Sequence, residues 1–476
     1  MTVSVLPGSF RDPSGFLFDR DGILYRQVNQ SFQRSFDDFV ESGLCGALID
    51  SGQLIPHEEV ELDLAATPDA YKVLRPEVIP FVSYPYEWCA SQLRDAALTT
   101  LAIQRRALRS GMTLRDASGY NIQFRGGKPI FIDTLSFERW TEGSPWAAYR
   151  QFCQHFLAPL ALMSYRDSRA GQLLRTHLDG LPLDLVVKLL PRRAYRRLPL
   201  LLHLRMHAKS QARHERSTRV RAATNTDRPQ SHGQPFSARA FQGLLDSLES
   251  GIRRLPLGPT PSAWSGYYDD AASYSAEALD HKKALVTTFL SRVRPATVWD
   301  LGANTGLFSR FAAANDALTI SFDLDPTAVD INYRSVVKDG ETRVLPLVMD
   351  LANPSPAIGW ANRERLSLLQ RGPADLAMAL ALVHHLAIGN NVPLDRLSGF
   401  SAEACRWLVV EYVPKEDPQA QRLFASREDV FPQYHQAGFE RAFEPSFDIL
   451  EREPISGSQR VLFLMRGKDR LPPSLS

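Results

Sequence analysis

Nearly continuous apolar runs alternate with helix-like stretches along the second half of the chain. The apolar runs are Thr297–Trp299, Ala317–Phe322, Arg343–Met349, Ala374–Leu382 and Trp407–Val413. Such runs are typical of parallel strands covered on both faces. The helix-like stretches between them are Leu307–Asn315, Pro326–Val337, Asn362–Gln370 and Pro393–Ala404. Repeated βα units predict an α/β fold with a doubly wound sheet. Two later runs, Phe447–Leu450 and Val461–Met465, are expected to pair as an antiparallel end.

The stretch from Arg216 to Pro235 has almost no large apolar residues and is rich in Arg, Thr, Ser, Gly and Pro. A segment of this composition cannot bury enough apolar surface to offset the entropy lost on ordering. We therefore predict a first domain over residues 1–215, a linker over residues 216–235 and a second domain over residues 236–476.

Length and composition narrow the class of protein. A chain of 476 residues is too long for one ordinary core, and 44% hydrophobic with 23% charged residues is typical of a globular protein. The net charge of +2 makes no general case for nucleic-acid or membrane binding. The four cysteines form no metal-ligand set, and no signal peptide or membrane span is evident. A soluble cytoplasmic protein is the expectation.

Acidic residues mark the ends of successive predicted strands. Asp300, Asp323 and Asp350 end the first three strands, and Asp375 begins the fourth. Ligands of an open α/β sheet bind beyond the carboxyl ends of its strands, where these acids are expected to meet.

The loop Trp299-Asp300-Leu301-Gly302-Ala303-Asn304-Thr305-Gly306 follows the first strand, and Gly302 and Gly306 allow a tight turn close to a ligand. An acid before the glycines would repel a pyrophosphate but suits a ligand with an amino group and a sulfonium cation. Asp323 is placed to accept from ribose hydroxyls, and Asp350 with Leu351 to face an adenine amino group.

This pattern resembles the first motif of class I methyltransferases, usually written D/E-x-G-x-G-x-G, with Asn304 in place of the middle glycine. Asn tolerates left-handed backbone angles better than most residues. The resemblance covers roughly residues 260–468 and implies S-adenosylmethionine as cofactor. It also implies a Rossmann-like seven-stranded sheet with its last strand antiparallel. The stretches NPSPAIGWANRERLSLL, ALALVHHLAIGNNVPL and VVEYVPKEDPQ resemble a bacterial group labelled nodulation-protein-like methyltransferases.

Catalytic candidates follow the fourth and fifth strands. His384 and His385 lie near the expected acceptor pocket, and an imidazole can serve as a general base near neutral pH. Glu411 ends the fifth strand and is a further candidate. A structural role for each remains open. The aromatic residues Trp264, Tyr267 and Tyr268 close the pocket or belong to the core.

The first half contains a second constellation in LRDASGYNIQFRGGKPIFIDTLSFE. Asp116 and Asn121 have the spacing of a kinase catalytic loop, and a hairpin turning at Gly126-Gly127 leads to Asp133. The segment resembles kinase-like, aminoglycoside-phosphotransferase-like domains over about residues 8–210. This resemblance implies an α+β two-lobed domain that binds ATP. In it Asp116 would position an acceptor hydroxyl, and Asn121 and Asp133 would hold magnesium.

The first half departs from that family pattern in three places. Asp12-Pro13-Ser14-Gly15 stands instead of a Gly-rich loop, and no Lys stands where the phosphate-contacting Lys is expected, with Arg26 in the likeliest strand. Asp133 is followed by Thr134-Leu135 rather than Phe-Gly. The domain is therefore either an active phosphotransferase or a degenerate relative that binds or presents a substrate.

Three hypotheses remain open. The first is a methyltransferase acting on a small-molecule or glycan-like acceptor. The second is a binding or regulatory protein in which one or both folds have lost their chemistry. The third is a nucleic-acid methyltransferase guided by the basic stretch Lys188–Arg221, although that stretch lacks interleaved aromatic residues for base stacking.

Overall fold

The computed structural model describes residues 3–209, 237–258, 275–424 and 430–468. Two compact units divide the chain. The first unit comprises Met1–Gly258 together with Gly359–Arg365, and the second comprises Pro259–Ile358 with Leu366–Ser476. The predicted linker over residues 216–235 and the aromatic residues Trp264, Tyr267 and Tyr268 lie outside the described residues.

The first unit begins with a five-stranded antiparallel sheet in the order β1-β2-β3-β5-β4. Its strands are β1 (Val3–Val5), β2 (Gly15–Arg20), β3 (Ile23–Asn29), β4 (His57–Val60) and β5 (Ala70–Pro76). Helices α1 (Gln33–Glu41) and α2 (Leu44–Asp50) connect β3 to β4. Phe36 of α1 packs with Val28 and Leu74 of the sheet, so the apolar face of this helix is covered by the strands.

A long helix and two short strand pairs follow. Helix α3 (Ala90–Arg109) starts where the Gln92 side chain accepts a hydrogen bond from the Cys89 amide, which satisfies a donor that the helix leaves free. Strands β6 (Met112–Leu114) and β9 (Phe137–Arg139) pair antiparallel, and β7 (Ile122–Arg125) and β8 (Lys128–Phe131) form a hairpin. Gly126 and Gly127 both have positive φ, as this tight turn requires.

The rest of the first unit is helical. Its helices are α4 (Tyr149–Phe152), α5 (Ala158–Tyr165), α6 (Leu173–Thr176), α7 (Leu183–Leu189), α8 (Leu198–Leu200) and α9 (Ala238–Arg253). Helix α9 corrects the predicted domain boundary at residue 236. Its buried face packs in the first unit, where Phe241 contacts the rings of Trp140 and Trp146. Arg105 of α3 pairs with Asp246 and Glu249 of α9.

The second unit contains a seven-stranded sheet in the order β12-β11-β10-β13-β14-β16-β15. Its strands are β10 (Thr297–Leu301), β11 (Leu318–Asp323), β12 (Val344–Val348), β13 (Ala374–Ala379), β14 (Cys405–Tyr412), β15 (Phe447–Pro454) and β16 (Val461–Gly467). The first five run parallel, and β16 is antiparallel to both β14 and β15. The α/β content expected for this half is therefore present.

Helices accompany these strands along the chain. They are α10 (Ala276–Val293), α11 (Leu307–Ala314), α12 (Pro326–Asp339), α13 (Leu394–Ala404), α14 (Pro418–Phe424) and α15 (Gln436–Phe443). One core cluster joins Phe289 and Leu290 of α10 and Phe308 of α11 to Val298 and Leu376 of the sheet. Packing of this kind leaves the carboxyl ends of β10–β13 as the edge at which loops can form a site.

The helix predicted over Asn362–Gln370 is absent, and only single turns form at Trp360–Asn362 and Leu369–Arg371. Ala361 and Asn362 have positive φ, which no α-helix tolerates. The buried Glu364 carboxylate accepts a hydrogen bond from the Trp360 amide. The segment Gly359–Arg365 is thereby held in a turn that belongs to the first unit.

Candidate functional site

The loop after β10 turns back over β11. The amides of Gly302 and Ala303 both donate to the carbonyl of Phe322, at 2.9 Å. Gly302, Asn304 and Gly306 all have positive φ, of 78°, 52° and 81°. Asn304 thus adopts the left-handed conformation in which the family motif has glycine, and the loop keeps its course without that glycine.

Packing leaves no room for a side chain at Gly306 and little room at Gly302. A Cβ on Gly306 would lie 2.5 Å from the side chain of Asn332, and one on Gly302 would lie 3.2 Å from Leu382. The loop therefore sits against α12 on one side and against the segment after β13 on the other.

Asp323, at the carboxyl end of β11, is fixed by two backbone amides. Its carboxylate accepts from the Asn304 amide at 2.7 Å and from the Asp325 amide at 2.9 Å. Burial raises its pKa to about 6, although both hydrogen bonds act in the opposite direction. Asp323 is thus an oriented carboxylate that links the Gly-containing loop to the next strand end.

A cavity of about 340 Å³ opens at this edge of the sheet. Five of the seven predicted cofactor residues line it, namely Gly302, Asn304, Asp323, Asp350 and Leu351. Asp350 also accepts from the Ala352 amide at 2.9 Å. The sequence reading missed the apolar part of the wall, formed by Met349, Leu380, Leu382, Leu386 and Leu423. Nothing in a local pattern distinguishes such lining residues from core residues.

Asp300 and Gly306 do not line the cavity. The Asp300 side chain is buried and accepts from the Ser309 hydroxyl at 2.6 Å, while Ser321 donates to Ser309 at 2.6 Å. Burial raises the pKa of Asp300 to about 7. In this structure Asp300 ties β10 to α11 and β11, and its predicted part in cofactor binding stays a prediction.

The two predicted histidines differ in position. His385 lines the cavity, whereas His384 is fully buried behind it, with ring centroids 4.1 Å apart. Within the described part of the chain, neither ring nitrogen of His384 has a hydrogen-bond partner. Burial lowers the pKa of both imidazoles, that of His385 to about 4, and the positive charge of Arg460 adds to each shift. Both rings are therefore neutral near pH 7.

Glu411 is not exposed to the cavity. It lies in a buried ion network that also contains Lys282, Arg460 and Asp417. The Lys282 ammonium lies 2.6 Å from Glu411, and Arg460 donates to Asp417 at 2.7 and 3.0 Å. The Glu411 carboxylate thus has cationic partners on both sides, which gives it a place in the core, and its catalytic role stays a prediction. A Lys among the apolar positions of α10 is the weak signal of this network in the sequence.

The first unit gathers the three residues of the kinase-like motif. Burial raises the pKa of Asp116, and the negative charge of nearby Asp133 raises it further. The Asn121 side chain donates to the Ser136 hydroxyl at 3.3 Å, and Ser136 donates to Asp133 at 2.5 Å. The hairpin β7–β8 thus brings Asn121 and Asp133 to one place.

Arg26 of β3 reaches the site formed by Asn121 and Asp133, and its guanidinium pairs directly with the Asp133 carboxylate. Burial alone would raise the pKa of Asp133, but Arg26, the Ser136 hydroxyl and the Leu135 amide together lower it. Both oxygens of the carboxylate that the kinase-like resemblance assigns to magnesium thus have partners, Arg26 at Oδ1 and Ser136 at Oδ2. No group of three or more His, Cys, Asp or Glu able to hold a metal occurs among the described residues.

The segment standing in place of the Gly-rich loop is also fixed. Arg115 donates to Asp12 at 2.7 Å and to Ser14 at 2.8 Å. A Cβ on Gly15 would lie 2.1 Å from the Gln27 carbonyl, so this glycine is required by close packing of β2 on β3. The segment therefore lies against the loop that begins at Arg115.

The basic stretch is described only as far as residue 209. In that part Arg197 donates to the Tyr165 hydroxyl at 2.7 Å, and Arg205 lies over the ring of Tyr195. Several of its cations thus serve contacts within the first unit, and nucleic-acid binding stays a prediction. Helices long and apolar enough to cross a membrane are absent from the described ranges.

The second unit is thus an α/β domain with an open, mostly parallel sheet and a ligand-sized cavity at the carboxyl ends of its strands. The whole chain is 35% identical over 460 residues to the nodulation protein NoeA of Rhizobium meliloti (strain 1021). The match covers 96% of this chain and 94% of the relative. The chain therefore belongs to the NoeA family, which confirms the resemblance to nodulation proteins. No protein-family model matches the sequence.

Solved structures with similar parts include three methyltransferases. Magnesium protoporphyrin IX methyltransferase (ChlM) of Synechocystis PCC 6803 is 16% identical, covers 40% of this chain and 84% of its own, and has a TM-score of 0.29. The N-methyltransferase NodS of Bradyrhizobium japonicum WM9 is 12% identical, with coverage of 41% and 99% and a TM-score of 0.31. The bifunctional kinase-methyltransferase WbdD is 20% identical, with coverage of 46% of each chain and a TM-score of 0.30. With scores this low, we base the functional argument on the site itself.

Proposed function

We propose that the second unit is an S-adenosylmethionine-dependent methyltransferase. The observation that carries this proposal is the position of Asp323. It lines the cavity while two amides, one from the Gly-containing loop, hold its carboxylate. A fixed carboxylate at the end of the second strand suits the two hydroxyls of a ribose, and Asp350 with Leu351 at the next strand end suits an adenine.

The remaining residues of the cavity fit the rest of this cofactor. The loop Gly302–Asn304 offers close backbone approach to the amino acid portion, and Leu380, Leu382 and Leu386 provide an apolar wall. When bound, the cofactor supplies a methyl group on a sulfonium, a carbon already activated for transfer. The protein's main contribution is then to align the acceptor and exclude water.

His385 is the residue of the cavity best suited to take a proton from an acceptor hydroxyl or amine. It lines the cavity, and its pKa, lowered to about 4, keeps the ring neutral near pH 7 and makes it a weaker base than an unperturbed imidazole. The His384 ring lies next to it, with centroids 4.1 Å apart. A cavity of about 340 Å³ is in the range of small-molecule sites and suits the cofactor. We propose a small-molecule or glycan-like acceptor beside it.

Isothermal calorimetry with S-adenosylmethionine tests the proposal. We expect binding to the wild type and a loss of at least about tenfold in affinity in Asp323→Ala, which removes hydrogen bonds to a charged group. Asp339→Asn is the matched control, because Asp339 is exposed at the end of α12 and should leave affinity unchanged. Absence of binding to the wild type would refute the proposal. Metabolite profiling of a deletion strain, seeking a species lighter by one methyl group, addresses the acceptor.

For the first unit we propose a binding role on a kinase-like scaffold without phosphoryl transfer. The Arg26–Asp133 ion pair supports this proposal, because it occupies the carboxylate that would hold magnesium. The test is calorimetry with ATP in the presence and absence of magnesium. We expect no magnesium-dependent binding. Magnesium-dependent ATP binding that disappears in Asp133→Asn would contradict the proposal and favour an active phosphotransferase.

A further inference from the structure

Among the buried polar atoms of the first unit that have no hydrogen-bond partner in the described residues, three belong to one group of side chains. They are the Tyr120 hydroxyl, Nδ1 of His155 and Nε of Arg365. Tyr120 lies between Asp116 and Asn121 in the kinase-like loop, His155 lies in the helical part of the unit, and Arg365 ends the segment Gly359–Arg365. None of these three residues has a part in the functions proposed above.

The three side chains are neighbours. The Arg365 guanidinium lies over the Tyr120 ring, 4.2 Å from its centroid. The His155 ring meets the Tyr120 ring edge-on, with centroids 6.0 Å apart. The Arg365 side chain is 20% exposed, so the cluster is open to solvent on that side while its inner atoms are covered.

Arg365 is held in place through its neighbour Glu364. The Glu364 carboxylate is buried and accepts from Nε and Nη2 of Arg11, at 2.6 and 2.9 Å. Gly359 closes the turn around it, since a Cβ there would lie 2.4 Å from the Glu364 side chain. A bidentate ion pair and a tight turn thus fix the backbone that presents Arg365 to Tyr120.

The chemistry of the three groups selects an anion. A buried donor without a partner costs free energy, so a cluster of them indicates a ligand or ordered water. Arg365 donates from Nη1 to the Glu364 carbonyl at 3.0 Å and its Nη2 lies 3.7 Å from the Glu364 carboxylate, but its Nε–H has no partner among the described residues. Tyr120 contributes an O–H donor. The nearest carboxylates are already engaged, Glu364 by Arg11 and Glu87 by the Tyr84 amide. Neutral His155 adds a further hydrogen-bonding nitrogen without charge.

We propose that Arg365, Tyr120 and His155 form a subsite in the first unit for an anionic group, a phosphate or a carboxylate, carried by a small-molecule ligand. The subsite adjoins the loop that bears Asp116, so a ligand bound there reaches the kinase-like site. It depends neither on methyl transfer nor on phosphoryl transfer. The anionic ligand binds the first unit, whereas S-adenosylmethionine binds the second.

The experiment is calorimetry of the full chain with inorganic phosphate and, separately, with acetate, at constant ionic strength set by chloride. We expect saturable binding of at least one anion to the wild type. Arg365→Gln should weaken it by at least about tenfold, as loss of a charge-assisted hydrogen bond does. Arg363→Gln is the matched control, because Arg363 is exposed in the same segment and should bind like the wild type.

Each outcome is decisive. Phosphate binding and acetate binding identify the anion, and either supports the subsite if it is lost in Arg365→Gln. Binding of neither anion means that water satisfies the cluster, and binding that Arg365→Gln leaves unchanged belongs elsewhere; both overturn the proposal. Tyr120→Phe repeats the test by removing one donor atom. A circular dichroism spectrum and a thermal melt like those of the wild type show that Arg365→Gln is folded, and unchanged S-adenosylmethionine affinity shows that the two sites are separate.

Discussion

The ammonium of Lys282 lies 2.6 Å from the carboxylate of Glu411 in the core of the second unit, although 129 residues separate them in the sequence. Both side chains are almost fully excluded from solvent, at 1% and 0% exposure. Arg460 contacts the same carboxylate at 3.4 Å and joins it to Asp417. A buried pair of this kind is costly to break, because the remaining charge has no water to solvate it.

We therefore expect Lys282→Met to lower the free energy of unfolding by about 3–5 kcal/mol. Adding Glu411→Gln should recover part of this loss, since the unpaired charge is then removed. Urea denaturation followed by circular dichroism measures both. Lys283→Met is the control, because the Lys283–Asp280 pair is exposed and should cost less than about 1 kcal/mol. Equal losses at the two positions would contradict the buried network.

Cofactor affinity should depend on pH through Asp323, whose pKa is raised to about 6 by burial. The carboxylate is ionised and accepts hydrogen bonds above pH 6, and it becomes protonated below that pH. We expect S-adenosylmethionine affinity to fall roughly tenfold between pH 7 and pH 5, in step with the ionised fraction of Asp323. Calorimetry across pH 5–8 should show a flat profile for Asp323→Asn. His385→Gln should keep the slope, because the pKa of His385, about 4, lies below this window.

Alanine substitutions at Gly306 and Gly340 distinguish the effect of backbone strain from the effect of steric crowding in the site. Both have positive φ, but a Cβ on Gly340 meets nothing within 4 Å, whereas one on Gly306 lies 2.5 Å from Asn332. Gly340→Ala should cost about 1–2 kcal/mol of stability and leave cofactor affinity unchanged. Gly306→Ala should cost more and also weaken S-adenosylmethionine binding. Thermal melts with and without the cofactor distinguish the two effects, and equal behaviour would argue against a close-packed loop.

The Arg26–Asp133 pair makes a similar prediction for the first unit. Arg26→Met leaves a largely buried carboxylate unpaired and should destabilise the unit by about 3 kcal/mol. Asp133→Asn in the same background should restore part of that loss. The exposed pair of Arg75 with Glu58 serves as control, with an expected cost below about 1 kcal/mol for Arg75→Met. Urea denaturation of these three variants and of Asp133→Asn alone tests this, and additive losses in the double variant would refute the coupling.

Asp300 should make the wild type less stable as pH rises. Its pKa is raised to about 7 in the folded protein, so the folded state holds a proton that the unfolded chain releases near pH 4. The stabilising contribution of this proton is complete below about pH 4 and is lost as pH rises through 7. Relative to Asp300→Asn, the wild type should therefore lose stability between pH 5 and pH 8 in urea denaturation. Asp316→Asn, at an exposed position, should show the same dependence of stability on pH as the wild type.

Local patterns in the sequence were sufficient for the strands of the second unit and for much of its cavity wall, but not for all of its helices. Apolar runs predicted the strands to within a few residues, and Asp323 and Asp350 line one cavity because parallel strands end at the same edge. The resemblance to nodulation proteins likewise depended on contiguous stretches of sequence, and it is confirmed by the identity to NoeA.

Tertiary structure alone decided how distant residues pair. Asp300 turns towards Ser309, Glu411 towards Lys282, and Glu364 towards Arg11, which is 353 residues away. Helix α9 joins the first unit because its apolar face finds Trp140 and Trp146 there. Hydrophobic periodicity reports which face of an element is buried, but not which partner buries it. A charged side chain's partner is set by three-dimensional proximity, on which the local spacing of residues carries no information.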